Sequence, residues 1–128
     1  MAALHFIYST MNAGKSTALL QSNYGYKERG LKTMVFTSSK DNRYGNSEVV
    51  SRVGLRVAAH TYDEGDNLLK IVGEKNELEP LSCILFDEAQ FLTKAQVKQL
   101  GHIVDEHNIT VMAFGIRTDF QGELFEGS

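Results

Sequence analysis

The segment Tyr8-Ser9-Thr10-Met11-Asn12-Ala13-Gly14-Lys15-Ser16-Thr17 constrains the fold more than any other part of the chain. An apolar run, Leu4 to Tyr8, precedes it and a segment of helical character follows, so the order is strand, tight loop, helix start. That is the context a phosphate-binding loop of the pattern G-x-x-x-x-G-K-[ST] requires. Ser9 stands where the first glycine is expected and asks the backbone to accommodate a Cβ, while Gly14, Lys15 and Ser16 are intact. Main-chain N–H groups along such a loop converge on phosphate oxygens, and the helix beginning near Ser16 adds its positive end. Lys15 is then placed to reach the terminal phosphates of a nucleotide, and the Ser16 hydroxyl to ligate Mg²⁺. The bland alternative is a strand-to-helix turn that happens to carry Gly and Lys; against it, strand, loop and helix all agree.

At 128 residues the chain is expected to form one domain, residues 1–128, short for a complete α/β enzyme. No apolar run approaches the length of a membrane span, and Met1-Ala2-Ala3-Leu4-His5 lacks the regions of a signal peptide, so a cytoplasmic protein is expected. Cys83 is the only cysteine, which excludes an internal disulfide and a cysteine-based zinc site within the chain. His5, His60, His102 and His107 are spread along the sequence and form no metal-ligand spacing. Tyr24, Tyr26 and Tyr62 read as packing residues. Charge is uneven: Lys15 to Arg56 holds eight basic and three acidic residues, and Val57 onward five basic and thirteen acidic ones. A positive first part beside an acidic second part suits a polyphosphate site with carboxylates opposite, and equally suits solvated faces of unrelated sign. No continuous basic stripe points to nucleic acid.

In chain order, the first strand runs from about Ala3 to Tyr8, and a helix from about Lys15 to Arg29 follows the loop. Leu20 and Tyr24, one turn apart, are expected to face the sheet, and Gly30 to stop the helix. Lys32 to Thr37 is rich in β-formers. The polar, aperiodic stretch from Ser38 to about Arg56 reads as a loop. A short strand around Arg56 to Thr61 and a helix from about Gly65 to Asn76 come next, closed by Pro80. Cys83 to Phe86 is an apolar strand ending in Asp87-Glu88. Thr93 with Gln96 forms a capping box, and Val97, Leu100 and Val104 mark the buried stripe of the helix that follows, ending at Asn108. Ile109 to Phe114 is another strand, with loop from Gly115 onward.

This alternation argues for an α/β fold, a P-loop NTPase-like parallel sheet with helices on both faces and ligands at the carboxyl ends of the strands. The chain stops where a further strand would be expected, so the fold is either small and complete or a fragment. Asp87-Glu88 is the second chemical constellation. Beside a phosphate loop, a carboxylate ending an apolar strand holds Mg²⁺, usually through its water shell, and Asp87 takes that role. Glu88 projects differently and could accept the proton of an attacking hydroxyl or water. Without the loop the same pair would read as a solvated turn or a helix N-terminus.

Three motifs together, Met11-Asn12-Ala13-Gly14-Lys15-Ser16-Thr17, Asp87-Glu88-Ala89-Gln90-Phe91-Leu92 and Gly115-Ile116-Arg117-Thr118-Asp119-Phe120, resemble in sequence and order those of the cytosolic-type thymidine kinases, especially the bacterial branch. The resemblance runs through the whole chain. It implies ATP-dependent phosphorylation of the 5′-hydroxyl of thymidine, with deoxyuridine a second substrate, in nucleotide salvage. It places Ser9, Thr10, Met11, Asn12, Ala13, Gly14, Lys15 and Ser16, together with Asp87, Glu88, Ala89 and Gln90, on the nucleotide side. Arg43 matches an arginine near the phosphates, and Asp41 lies near the metal water. Glu88 matches the catalytic base. Met11, Phe91, Phe120 and Phe125 match positions around the nucleobase, with Leu124 a neighbour; stacking there is worth about 1 to 3 kcal/mol per base. Core packing is the alternative role for each of these apolar residues.

Members of that family continue beyond the position matching Ser128 into a further strand, a helix and a zinc-stabilised lobe that closes over the nucleoside, and they form homotetramers. The expectation from the 128 residues alone is therefore weak nucleotide binding and little activity, with structural Zn²⁺ belonging to the lobe this sequence does not contain. A nucleotide-binding or regulatory module, or a general ATPase in which Glu88 activates water, stands as the alternative.

Overall fold

Apolar residues alternate between two destinations along the central strands, and this alternation sets the layers of the molecule. The computed structural model describes residues 2–9, 15–39, 48–50 and 56–116. In chain order these form β1 (Leu4–Ser9), α1 (Lys15–Glu28), β2 (Thr33–Ser38), β3 (Glu48–Val50), β4 (Arg56–Ala58), β5 (His60–Tyr62), α2 (Leu68–Leu78), β6 (Cys83–Phe86), a single 3₁₀ turn (Ala89–Phe91), α3 (Lys94–His107) and β7 (Thr110–Ile116). Five strands make one parallel sheet in the order β1-β7-β6-β2-β5. Parallel strands buried on both faces read as continuous apolar runs, and Cys83-Ile84-Leu85-Phe86 is buried at every position.

Successive side chains point to opposite faces. Ile84 and Phe86, with Met34 and Phe36 of β2 and Val111 and Ala113 of β7, meet Leu68 and Val72 of α2 and Val97, Leu100 and Ile103 of α3. Cys83 and Leu85, with Val35 and Phe114, meet Leu19 and Leu20 of α1 on the other face. Helices therefore cover both faces, as the alternation implied.

Local signals set several boundaries. Gly30 takes φ +77°, Leu31 N–H donates to Tyr26 O (3.0 Å) and Gly30 N–H to Lys27 O (2.9 Å), a Schellman closure of α1 that glycine permits without a Cβ penalty. Thr93 Oγ1 accepts from Gln96 N (3.1 Å) and Gln96 Oε1 from Thr93 N (3.2 Å), the capping box that starts α3. Asn108, at φ 55°, ends it in the left-handed conformation.

Other expectations are corrected. Tyr24 is 37% exposed; Leu19, Leu20 and Asn23 fill the sheet-facing stripe, and Tyr24 falls at its margin. In α3, Ile103 rather than Val104 completes the fully buried row. The stretch expected to be loop contains β3, which pairs antiparallel with β4 through Val49 and Val57. The single strand expected from Arg56 to Thr61 divides at Ala59, because β4 joins that hairpin while β5 joins the main sheet. The helix expected from Gly65 begins at Leu68, since Asn67 Oδ1 accepts from Lys70 N (3.2 Å) as its cap. The last strand continues through Gly115 to Ile116, paired with Tyr8 and Ser9 of β1.

Candidate active site at the carboxyl edge of the sheet

In a parallel sheet all strands end on one edge, and loops that carry chemistry collect there. β1 ends there at Ser9, and after five further residues α1 opens with Lys15 and Ser16. Thr10, Met11, Asn12, Ala13 and Gly14 lie outside the described residues, as do Asp41, Arg43, Phe120, Leu124 and Phe125. The remaining candidates, Asp87 to Phe91, follow β6 directly.

Asp87 N–H donates to Phe36 O (2.7 Å), which carries the β2–β6 pairing one step past the strand end and pins the aspartate at the sheet edge. Asp87 and Glu88 are both buried, at 7% and 6% exposure. Carboxylates are seldom buried without a task or a partner, because desolvation penalises their charged form.

Glu88 is held in an unusual conformation. It lies at φ 60°, ψ 43°, a left-handed backbone that costs a residue with a Cβ roughly 1–2 kcal/mol. Such strain persists only where surrounding contacts impose it, and it concentrates at functional sites. Here the main-chain carbonyl of Glu88 accepts both the Phe91 N–H (3.1 Å) and the Tyr62 hydroxyl (2.9 Å). Gln90 Nε2 donates to Glu88 Oε2 (3.2 Å), so carbonyl and carboxylate are each held. The left-handed step turns the chain from β6 into the Ala89–Phe91 turn, whose Ala89 is buried and whose Gln90 and Phe91 are half-buried.

That turn leans across the end of β7. A Cβ at Gly115 would stand 3.0 Å from Gln90 Oε1, 3.2 Å from Gln90 N and 3.4 Å from Ala89 Cβ. Gly115 pairs with Tyr8, the next-to-last residue of β1, so the carboxylate turn after β6 and the end of β1 are separated by one strand. The structure thus brings Asp87, Glu88, Ala89 and Gln90 to the edge from which the Ser9–Lys15 connection also leaves.

Two contributors escaped the sequence reading. Tyr62, a packing residue by its sequence, also reaches Glu88 across 26 positions, and nothing local in the sequence signals that contact. Its pKa is raised above the phenol range by burial and, secondarily, by the Asp87 charge, which keeps the hydroxyl protonated and donating. Gly115 opens the third of the family-like motifs and has no role of its own in the sequence; its absent side chain is what admits the turn.

The donor chemistry fits a hard divalent cation. Mg²⁺ keeps most of its water and is held by one or two carboxylates together with phosphate oxygens. Among the described residues no group of three His, Cys, Asp or Glu side chains could hold a metal ion; Asp87 is a carboxylate of the kind that Mg²⁺ takes.

The sequence model of the thymidine kinase family matches residues 2–128. The chain belongs to the thymidine kinase family. It is 55% identical over 128 residues to a thymidine kinase of Shewanella oneidensis, covering all of this chain and 67% of that protein. Against a thymidine kinase of Yersinia pseudotuberculosis the identity is 56%, over all of this chain and 65% of the relative. For Rhodopirellula baltica the values are 52% and 61%. The chain therefore spans about two thirds of the length of these thymidine kinases. Among the described residues no helix is long and apolar enough to cross a membrane.

Proposed function

We propose that this protein transfers the γ-phosphoryl group of ATP to the 5′-hydroxyl of thymidine, with deoxyuridine as a second substrate. The observation that carries the reading is Glu88: a buried carboxylate, held by hydrogen bonds at main chain and side chain, just after β6 and one strand from the end of β1. Membership of the thymidine kinase family supports the choice of substrate.

Phosphoryl transfer asks the protein for positioning and charge neutralisation far more than for covalent chemistry. In this reading the main chain from Ser9 to Gly14 cradles the phosphates, and Lys15 and Arg43 draw off charge from the migrating group. Ser16 and Asp87 would hold Mg²⁺, with Asp41 acting through a coordinated water. Mg²⁺, when bound, neutralises phosphate charge and orients the oxygens of the transferred group. Glu88 takes the proton of the 5′-hydroxyl as that oxygen bonds to the γ-phosphorus and the bond to the leaving ADP breaks. Ala89 and Gln90 line the nucleotide side, while Met11, Phe91, Phe120, Leu124 and Phe125 form the apolar walls for the thymine ring and its methyl group. Family likeness also supports a homotetramer in the cytoplasm.

The test is coupled ADP release with ATP and Mg²⁺, with and without thymidine, beside a Glu88→Gln variant. Thymidine-dependent release lost in the variant is the expected result. Release that is indifferent to thymidine would replace the kinase reading with that of an ATPase.

A further inference from the structure

A carboxylate that must accept a proton from a substrate hydroxyl has to be held within a few tenths of an ångström of its working position. Side-chain hydrogen bonds alone do not do this when the backbone beneath is strained, because a left-handed residue relaxes toward the ordinary right-handed or extended regions once its restraints weaken. The restraints on the Glu88 main chain are therefore part of the site.

One of them comes from far away in sequence. Tyr62 is the last residue of edge strand β5, paired with Ser38 at the end of β2. From there its ring runs beneath the sheet edge and meets Phe86 edge-on, with centroids 5.6 Å apart at 77°. Phe86 in turn stacks on Phe36, 4.7 Å away at 7°. Tyr62 also lies edge-on to Phe36, 6.5 Å away. The ring is 2% exposed, so its direction is fixed by packing against two aromatic neighbours, Phe36 on the adjacent β2 and Phe86 on β6 beyond it. That packing delivers the hydroxyl to Glu88 O at 2.9 Å. The same oxygen also accepts the Phe91 N–H, so both of its lone pairs are engaged.

We propose that Tyr62 is a positioning residue for the active-site carboxylate: its hydroxyl clamps the Glu88 carbonyl, fixing the left-handed backbone that aims the Glu88 side chain. The inference rests on the kinase reading for its catalytic consequence, and on the hydrogen bond alone for its structural one. Tyr62 touches no reacting atom; it acts through Glu88. The aromatic triad Phe36, Phe86 and Tyr62 thereby links the packing of β2, β5 and β6 to the placement of the base.

The experiment compares wild type, Tyr62→Phe, Glu88→Gln and the double variant, each in the full-length gene product. Phenylalanine keeps the ring packing and deletes only the hydroxyl. Two quantities are measured: steady-state kinetics with thymidine and ATP, and amide hydrogen exchange across Ala89–Phe91. In Tyr62→Phe, kcat should fall about tenfold or more with both KM values within about twofold, and exchange in the turn should accelerate by about tenfold. Placed on Glu88→Gln, the same substitution should cost kcat less than about twofold, because the group it positions has already been disabled. A general loss of folding would depress both backgrounds equally and would overturn the proposal. So would unchanged exchange in the turn, or full activity of Tyr62→Phe alongside an inactive Glu88→Gln. If wild type shows no thymidine phosphorylation, the kinase reading fails by itself, and the exchange measurement still decides whether Tyr62 clamps the Glu88 main chain.

Discussion

Gly115 on β7 lies against Gln90 of the carboxylate turn so closely that a methyl group at position 115 would stand 3.0 Å from Gln90 Oε1 and 3.2 Å from its main-chain nitrogen. The side-chain oxygen can swing away. The main-chain nitrogen cannot, because the turn is fixed at Glu88 by Tyr62 and by the Phe91 N–H.

Gly115→Ala is therefore expected to displace the Ala89–Phe91 turn by a few tenths of an ångström, at a cost of about 1–3 kcal/mol in stability. Because the turn carries Gln90, which holds the Glu88 carboxylate, turnover should drop about 10- to 100-fold with little change in KM. Gly101→Ala in α3 is the internal control: nothing lies within 4 Å of its added methyl, and alanine in a helix should raise stability by up to about 1 kcal/mol. Urea melts and steady-state kinetics on the two variants check both statements. A Gly115→Ala protein with wild-type turnover would show that the turn tolerates movement.

Gln96 joins two parts of the molecule that the sequence keeps apart. Its Nε2 donates to Asp63 O (2.6 Å) and Asp66 O (3.2 Å), while its Oε1 accepts from Thr93 N in the capping box. Gln99, one turn on, accepts the Leu68 N–H at 2.8 Å and so satisfies an otherwise orphaned donor at the start of α2. Thr93→Ala should cost about 1 kcal/mol, the usual value of a lost helix cap. Gln96→Glu, isosteric but without the two donors, sets a carboxylate against two carbonyl oxygens in a site only 1% exposed, and should cost about 2–4 kcal/mol. The ordering of these two losses in denaturant melts is the check: equal costs would mean that the contacts to Asp63 and Asp66 contribute nothing.

These cases also show which features a sequence discloses. Capping at Thr93 and Gln96, the glycine stop at Gly30 and the end of α3 at Asn108 depend on residues within one or two turns of each other, and they are legible. Two-faced burial of Cys83 to Phe86 is legible for the same reason, as an unbroken apolar run of strand length. The pair Asp87-Glu88 stands out because the Gly14-Lys15-Ser16 motif is in the same chain; alone it would read as a solvated turn or a helix N-terminus. The β3–β4 hairpin was not legible: each strand has three residues, too few for a period to register. Nor was the role of Tyr62, since a single tyrosine at a strand end looks the same whether its hydroxyl meets water or, as here, the carbonyl of a residue 26 positions away. Tyr24 was misplaced because an amphipathic stripe defines a face only to within one residue, and Asn23, buried, occupies the place assigned to it.

Alkaline pH should weaken the fold through Cys83. Burial pushes its thiol up to about 11 from 9.0, with the nearby Tyr26 hydroxyl offsetting part of the effect. Between these two values the unfolded chain loses the thiol proton while the folded chain keeps it, so the unfolded state binds fewer protons and stability falls as pH rises. The contribution is fully present below about pH 9 and lost by about pH 11, on the order of 2 kcal/mol. Tyr26 and Tyr62, both raised by burial, act in the same direction at higher pH. Unfolding free energy measured from pH 8 to 11 should decline, and Cys83→Ala should flatten the decline between 9 and 11 while lowering stability at neutral pH by about 1 kcal/mol. An unchanged slope in that variant would place the alkaline sensitivity elsewhere.

Strain at Glu88 sets stability against activity, and two substitutions separate them. Glu88→Gln removes the negative charge and keeps both the shape and the unfavourable left-handed backbone. Glu88→Gly removes the side chain and the backbone penalty together, since glycine adopts φ 60° freely. If Glu88 is the base of the proposed thymidine phosphorylation, both should lose turnover by about 10²- to 10⁴-fold, because neither can accept the hydroxyl proton. Their stabilities should differ in the opposite sense to what side-chain contacts alone would give. Relief of the left-handed backbone is worth roughly 1–2 kcal/mol, and the lost contact to Gln90 together with the freer unfolded chain offsets about half of it. Glu88→Gly should therefore melt higher than Glu88→Gln by about 1 kcal/mol. Thermal melts of the two inactive proteins decide the matter: a less stable glycine variant would mean that the left-handed conformation stores no strain, and that Glu88 adopts it without being forced.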